Sequence, residues 1–258
     1  MSEPVLYEKR EHKAYITFNR PEAMNALTPE GWQMLADYYK QAGADDEVRV
    51  IILTGAGEKA FCAGADLKIT IPALTSGDLD ITILDDAMLK HMSMWKPIIA
   101  AVNGHCLAGG TELLQATDIR IAVEHATFGL PEPKWSIMAV GGSLVRLARQ
   151  IPYCRAMEIL LTGERITAQE AQSIGLINKV VPAHELMAEA ERYADIICAN
   201  GPLAVQATKK AVVRLMSLPM EQAFYEEPLH AAEVLASKDA REGPRAFAEK
   251  RSPEFHGL

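Results

Sequence analysis

The chain of 258 residues can hold one large domain or a core with an appendage, and 49% hydrophobic residues with a mean hydropathy of −0.01 describe a globular protein. A net charge of −8 and a pI near 5.4 argue against nucleic acid or an anionic membrane as the main partner. No apolar run reaches the length of a membrane span, and Met1-Ser2-Glu3-Pro4 lacks the pattern of a signal peptide, so a cytoplasmic protein is expected.

Ala14 to Phe18 reads as a strand ending at Asn19-Arg20-Pro21, and Pro29 to about Ala44 as an amphipathic helix with Thr28 as N-cap. Val48 to Thr54 reads as a buried strand closed by Gly55-Ala56-Gly57, and Ala60 to Ala63 as a second strand-like patch. Residues 68 to 85 mix polar, Gly and Pro residues and suggest a mobile surface segment, followed by a helix from about Asp85 to Trp95. Ile98 to Val102 is an apolar run of strand length, after which Ala108-Gly109-Gly110 opens a helix carrying Glu112 in its first turn. A strand over Asp118 to Val123, a helix opened by Gly141-Gly142-Ser143, and another over Arg155 to Thr162 come next. Thr167 to Ile174 has the letters of a capping box, with Gly175 as the C′ residue. A short strand at Val180-Val181 follows, and from His184 onward only helices are expected, near 185–200, 202–216, 219–237 and 241–250. Strand–helix alternation followed by helices alone predicts an α/β core with a helical tail.

Cys62, Cys106, Cys154 and Cys198 are widely scattered and the seven histidines show no metal-ligand spacing, so neither a disulfide framework nor a metal site is expected. Gly55-Ala56-Gly57 nearly fits a dinucleotide fingerprint, but Phe61-Cys62-Ala63 continues extended where a helix would have to open. Ser93-Met94-Trp95-Lys96 spells S-x-x-K, yet Pro97 follows at once and no partner motif is present. Three segments carry more. The Gly109 helix start offers free N–H groups beside Glu112, although a strand-to-helix turn with an acidic residue complementing the dipole reads the same way. Phe61 to Leu67 can present the N–H of Ala65 outward, or simply place Asp66 as a cap. The prolines flanking Glu132 in Leu130-Pro131-Glu132-Pro133 fix its backbone, or it is an ordinary turn glutamate. Taken together, two backbone N–H groups would hold a thioester carbonyl as it gains charge, and two carboxyl groups would manage one water.

These residues resemble the enoyl-CoA hydratase/isomerase (crotonase) superfamily over nearly the whole chain. The matching motifs are Asn19-Arg20-Pro21…Asn25-Ala26-Leu27, Lys59-Ala60-Phe61-Cys62-Ala63-Gly64-Ala65-Asp66-Leu67, Asn103-Gly104…Gly109-Gly110-Thr111-Glu112 and Phe128-Gly129-Leu130-Pro131-Glu132. Leu161-Thr162-Gly163, Ala168-Gln169-Glu170-Ala171 and Gly175-Leu176-Ile177-Asn178-Lys179-Val180-Val181 extend the match. The resemblance implies an α/β spiral of ββα repeats over residues 1–195, with a helical trimerisation region over 196–258 and commonly a hexamer of two trimers. It places the oxyanion hole at the N–H groups of Ala65 and Gly109 and gives Glu112 and Glu132 the catalytic roles. Coenzyme A would enter as part of the substrate and not as a cofactor, curling around Met24, Ala26, Ala63, Asp66 and Leu67. Lys59 would lie near its phosphates, and Phe247 and Lys250 would close the site, often of a neighbouring subunit.

With both glutamates present, reversible hydration of a 2-enoyl-CoA to a 3-hydroxyacyl-CoA is the expected reaction. Isomerisation or another acyl-CoA hydro-lyase reaction, such as a carnitinyl-CoA dehydration, is the alternative. RNA binding, known in a few members, would need a basic stripe that this acidic chain does not suggest, and an inactive homologue would not need both glutamates. Two departures stand out. Many hydratases continue after the second glutamate with a Pro-Gly-x-Gly-Gly loop, whereas Pro133 to Gly142 lacks that proline and is one residue shorter, so Trp135 and Met138 are expected to reshape the acyl pocket. Glu22 stands where a basic residue is frequent.

Overall fold

The computed structural model describes residues 3–258, and among these ten strands form two sheets. The six-stranded sheet runs in the order β1 (Val5–Arg10), β2 (Lys13–Phe18), β3 (Val50–Gly55), β5 (Ile98–Val102), β7 (Ile119–Val123), β10 (Lys179–Val181). It is parallel from β2 to β10, with β1 added antiparallel to β2. Its central strands read as unbroken apolar runs because both faces are covered, and every residue of β5 is buried. The second sheet has the order β4 (Ala60–Cys62), β6 (His105–Leu107), β8 (Thr127–Gly129), β9 (Arg165–Thr167), parallel except for the β8–β9 pair.

The chain alternates between the two sheets. Each of the pairs β3–β4, β5–β6 and β7–β8 sends its first strand to the large sheet and its second to the small one, and a helix follows. These are the ββα turns of the crotonase spiral. Asn103, between β5 and β6, accepts the Gly55 N–H at 3.1 Å and donates to the Gly57 carbonyl at 2.7 Å, while Asn25 donates to the carbonyls of Ala56 and Ala60. The glycine-rich turn that spelled a dinucleotide fingerprint is thus gripped by two asparagines and leads into a strand.

Helix α1 (Pro29–Ala44) begins as its sequence suggests: Thr28 Oγ1 accepts the Gly31 N–H and Pro29 opens the first turn. Its Trp32, Leu35 and Tyr39 are fully buried against the sheet, and Phe18 meets Phe61 edge-on at 5.3 Å. Lys96, the lysine of the S-x-x-K letters, is buried and donates to the Ala42 carbonyl at the end of α1, an orphan acceptor that a buried ammonium satisfies.

Residues 68 to 85 form α2 (Thr70–Ser76) and a 3-10 turn at Ile81–Leu84 capped by Asp80, and most of them are exposed, with Thr70 and Leu84 buried. The helix expected over 85–95 does not form. The chain reverses at Leu89, where φ is +50°, and Lys90 N donates back to the Asp85 carbonyl at 2.9 Å. Ala87, Met88 and Met94 are still buried, so apolar spacing there reflects packing of a loop and not a helical face.

Helix α3 (Gly109–Gln115) follows β6, and α4 (Ser143–Gln150) and α5 (Tyr153–Thr162) follow the 3-10 turn Glu132–Trp135. Helix α6 (Ala168–Ser173) carries the full capping box of Thr167 and Glu170, with Gly175 at φ +78° beyond it. Helix α7 (Leu186–Ala199) buries Leu186, Ala190 and Ala194, so the expected boundary at residue 196 falls inside a core helix. In α8 (Pro202–Leu215) and α9 (Met220–Ala236) no residue is buried, and α10 (Asp239–Ala248) completes the tail. Lys209 of α8 ties this region to the core through Asp118 at 2.6 Å and the Lys96 carbonyl at 3.0 Å.

Gly110 marks the tightest approach in the core. A Cβ built there would lie 2.0 Å from the Cys62 carbonyl oxygen of β4, an atom that no rotamer change can move. Gly110→Ala is therefore expected to destabilise the protein by about 3 kcal/mol or more, read as a lowered urea midpoint at unchanged m.

Candidate active site

Three short parallel strands, β4, β6 and β8, end side by side, with Cys62 opposite Cys106 and Leu107 opposite Gly129. Beyond those ends lie Ala65, the start of α3, and Glu132. Gly64 takes φ +87°, and a Cβ on it would fall 2.6 Å from the Gly109 nitrogen, so glycine is what lets the two segments touch. Ala108 adopts φ 50° and ψ −127°, a strained conformation for a residue with a Cβ, and starts the helix directly after β6. Its own N–H is bound by the Gly129 carbonyl at 2.9 Å, while Thr111 donates to the Cys106 carbonyl at 2.6 Å, so β6, β8 and α3 are locked together. Neither the Ala65 nor the Gly109 N–H donates to a backbone carbonyl among the described residues.

Both N–H groups and both glutamates border one cavity of about 330 Å³. Its floor is made by the buried side chains of Trp32, Leu84 and Met88, and its rim by Leu67, Ile81, Trp135 and Met138, which are exposed. Glu112 and Glu132 are buried, at 4% and 6% exposure. Glu112 Oε1 accepts the Ser143 N–H at 3.2 Å, and the Gly141 N–H also supports the carboxylate. Burial nonetheless holds the Glu112 pKa above the usual carboxylate range, against the pull of those N–H groups. Glu132 has less support: Oε2 is buried without a hydrogen-bond partner among the described residues. Burial first, and the nearby Glu112 charge in addition, push its pKa up to about 7. The pocket thus holds one carboxyl supplied with donors and one left poor in them.

The other residues singled out in the sequence divide into groups. Ala63 and Leu67 lie on the Ala65 strip, which is tied to the Met24–Leu27 turn through Ala63 N to Met24 O at 3.1 Å and Leu27 N to Gly64 O at 2.8 Å. Met24 and Ala26 therefore lie beside that strip without lining the cavity. Asp66 is buried and fully engaged: it accepts Lys68 N–H and Ile69 N–H and pairs with Arg20 at 2.8 Å, whose guanidinium also binds the Ala26 carbonyl. Burial raises and these partners together lower its pKa, with a net fall. It shapes the groove. Lys59 is exposed just before β4, and Trp135 and Met138 border the cavity as expected. Phe247, 87% exposed, and Lys250 lie at the end of α10 and do not line this chain's cavity.

Sequence reading missed the support of Glu112 by Gly141 and Ser143, and it missed the wall formed by Trp32, Ile71, Leu74, Leu84 and Met88. The Gly141-Gly142-Ser143 helix start was visible, but the hydrogen bond from Ser143 to a side chain 31 positions earlier exists only in the folded chain.

The donor-poor burial of Glu132 carries a stability consequence. Its folded pKa of about 7 lies above the ordinary value of 4.5, so the contribution of this group to stability is fully present below pH 4.5 and is lost as pH rises through 7, where the buried carboxyl must ionise. Glu132→Gln removes that ionisation. It is expected to stabilise the protein by about 3 kcal/mol at pH 8, with the gain vanishing toward pH 4.5, as read from urea melts across that range.

The family model described as enoyl-CoA hydratase/isomerase matches residues 8–257. "Enoyl-CoA hydratase EchA19" of Mycobacterium tuberculosis is 47% identical over 255 residues, covering 97% of this chain and 95% of that protein. "(E)-benzylidenesuccinyl-CoA hydratase" of Thauera aromatica is 43% identical over 256 residues, covering 98% of this chain and 99% of that protein. Among solved structures, an enoyl-CoA hydratase from Bacillus anthracis superposes with a TM-score of 0.93 at 37% identity, over 99% of this chain and 100% of that one. With the spiral fold, the paired strand ends and matches running almost end to end, the chain belongs to the enoyl-CoA hydratase/isomerase family.

Proposed function

We propose that the protein catalyses reversible hydration of a 2-enoyl-CoA thioester to the 3-hydroxyacyl-CoA. The observation that carries this reading is a pair of buried carboxyl groups, Glu112 and Glu132, lining one largely apolar cavity together with Ala65 and Gly109. The thioester oxygen accepts from the N–H groups of Ala65 and Gly109, which draw charge away from the double bond. Glu112, in its ionised form and accepting the Ser143 N–H, takes a proton from water as the water oxygen bonds to C3. The electron pair of the double bond moves to C2 and into the carbonyl, forming an enolate held by the two N–H groups. Glu132, near half-protonated at neutral pH, delivers its proton to C2. The proton on Glu112 then returns to Glu132, restoring the starting state with one water added. No cofactor is required beyond the CoA that arrives with the substrate. The apolar walls suit a hydrocarbon acyl group and exclude bulk water, which strengthens each electrostatic contact.

The polar part of CoA needs residues that this chain's cavity lacks. We place it along Met24–Ala26 and the Ala63–Leu67 strip, with Lys59 near the phosphates. Phe247 and Lys250 close the site of a neighbouring subunit. Trimers, alone or paired as hexamers, would cover the exposed apolar side chains of α8 and α9, among them Val212, Met216, Met220, Phe224 and Leu229. Residues 196–258 would then serve mainly in assembly. The scattered thiols, with Cys62 and Cys106 fully buried, fit a reducing compartment such as the cytoplasm.

Loss of the conjugated enoyl-thioester absorbance, followed with crotonyl-CoA, a longer linear and a branched 2-enoyl-CoA, tests the reading. Glu112→Gln and Glu132→Gln are each expected to lower kcat by about 10²–10⁴-fold with KM changed only a few-fold. In the hydration direction kcat/KM should rise with ionisation of Glu112 and fall above about pH 7 as Glu132 loses its proton. Near-normal turnover in either variant removes that residue from the mechanism. Lys250→Ala is expected to raise KM with kcat nearly unchanged, and an unchanged KM refutes its place at CoA.

A further inference from the structure

The support of Glu112 continues one layer deeper. Arg146 lies on the first turn of α4, immediately after the Gly141–Ser143 turn that binds the carboxylate. Its backbone N–H donates to the Gly142 carbonyl at 2.9 Å, and Nη2 donates to the Leu89 carbonyl at 2.9 Å. Nη1 is buried with no hydrogen-bond partner among the described residues. A Cβ built on Gly142, where φ is +129°, would lie 2.7 Å from that nitrogen, so the bare turn rests directly on the guanidinium. The side chain is half-buried, and leaving its Nη1 buried without a partner is hard to reconcile with packing alone, since an apolar side chain would fill the space without the desolvation penalty.

The groups around it point in one direction. Glu112 of α3 and Tyr39 of α1 favour the charge of Arg146, opposing the burial that lowers its pKa, while Arg120 of β7 is the like charge nearby. Glu112 itself faces the Glu132 carboxyl, the N–H groups of Gly141 and Ser143, and the Lys90 ammonium, which is already paired with Asp85. Among the described residues Arg146 makes no salt bridge to a carboxylate, and its unpartnered Nη1 lies against the turn that carries the Ser143 N–H to Glu112. At its other end, the bond to Leu89 fixes the left-handed residue next to Met88. Met88 Cε forms the wall beside both Gly109 and Gly141, where built Cβ atoms would lie 3.4 and 2.7 Å from it.

We propose that Arg146 is a positioning residue that acts through Glu112, holding the Gly141–Ser143 turn against the carboxylate and keeping it ionised, while its bond to Leu89 sets Met88 in the pocket wall. The proposal rests on the hydratase reading for its kinetic consequence, but not for its electrostatic one. Two variants separate charge from shape: Arg146→Gln keeps an N–H donor and loses the charge, and Arg146→Lys keeps the charge.

In crotonyl-CoA hydration, Arg146→Gln is expected to lower kcat about tenfold or more with KM within about twofold, and to move the acid limb of kcat upward by about one pH unit. Arg146→Lys should leave the limb in place with kcat within about threefold of the parent protein. In the Glu112→Gln background, Arg146→Gln should add no further loss of kcat, because the group it acts through is gone. Equal losses in both variants with an unmoved limb overturn the proposal. If Arg146→Gln does not fold, a tenfold loss of kcat in folded Arg146→Lys overturns it. The carboxyl ¹³C titration of Glu112, assigned by its absence in Glu112→Gln, gives a readout independent of turnover. Should the parent protein hydrate no 2-enoyl-CoA, the functional reading falls, and Arg146 is judged by that titration: an upward move of about one pH unit in Arg146→Gln sustains it, and no move overturns it.

Discussion

The parallel alignment of β4, β6 and β8 is the constraint on which the rest depends. Each strand is only three residues long, too short to be stable alone, and each is held by its neighbour and by the larger sheet to which its partner strand belongs. Parallel strands launch their following segments at the same edge, and so three regions distant in sequence deliver backbone donors and carboxyl groups to one place. Thr111, hydrogen-bonded across β6 and β8, fixes the residue beside it, Glu112. A shift of any strand by one position would carry its side chains to the opposite face and dissolve the site.

Placing two carboxyl groups in an apolar cavity carries an electrostatic penalty that the protein distributes unevenly. Glu112 receives two N–H donors and a half-buried cation behind them. Glu132 receives almost nothing, and its partly protonated state is the result. The asymmetry arises from position. Glu112 faces the start of α4, where unpaired N–H groups are abundant, whereas Glu132 opens a single 3-10 turn of its own. Two chemically identical side chains thereby meet different sets of hydrogen-bond donors.

Much of the fold was legible in the sequence because its signals are local. Thr28 with Pro29, and Thr167 with Glu170, announce helix starts through contacts made within three residues. The runs at Val50–Leu53 and Ile98–Val102 announce buried strands. The short β6 and β9 gave no such signal, since three residues carry no periodicity and their pairing depends on neighbours elsewhere in the chain. The stretch from Asp85 to Trp95 misled for a related reason. Its apolar residues are buried, but around a reversal at Leu89 and not along a helix face. At the site, the glycines, Glu112 and Glu132 could be read directly. Gly141, Ser143, Arg146 and Met88 could not, because their relation to Glu112 is created entirely by tertiary contacts.

Ala108 holds a backbone conformation that glycine would adopt without strain, yet it carries a methyl group. A glycine there would gain freedom in the unfolded chain and looseness in the folded one, whereas the methyl narrows both. The strained peptide is over-determined by the Ala108–Gly129 hydrogen bond and by the helix that begins beside it. The Gly109 N–H consequently has one direction available to it before any ligand arrives. Under the proposed hydration, the reorganisation energy of that donor is spent during folding, once, and not in each catalytic cycle. Such a site would discriminate among acyl groups by how well they fit a fixed donor, with little capacity to adapt the donor to a poorly fitting substrate.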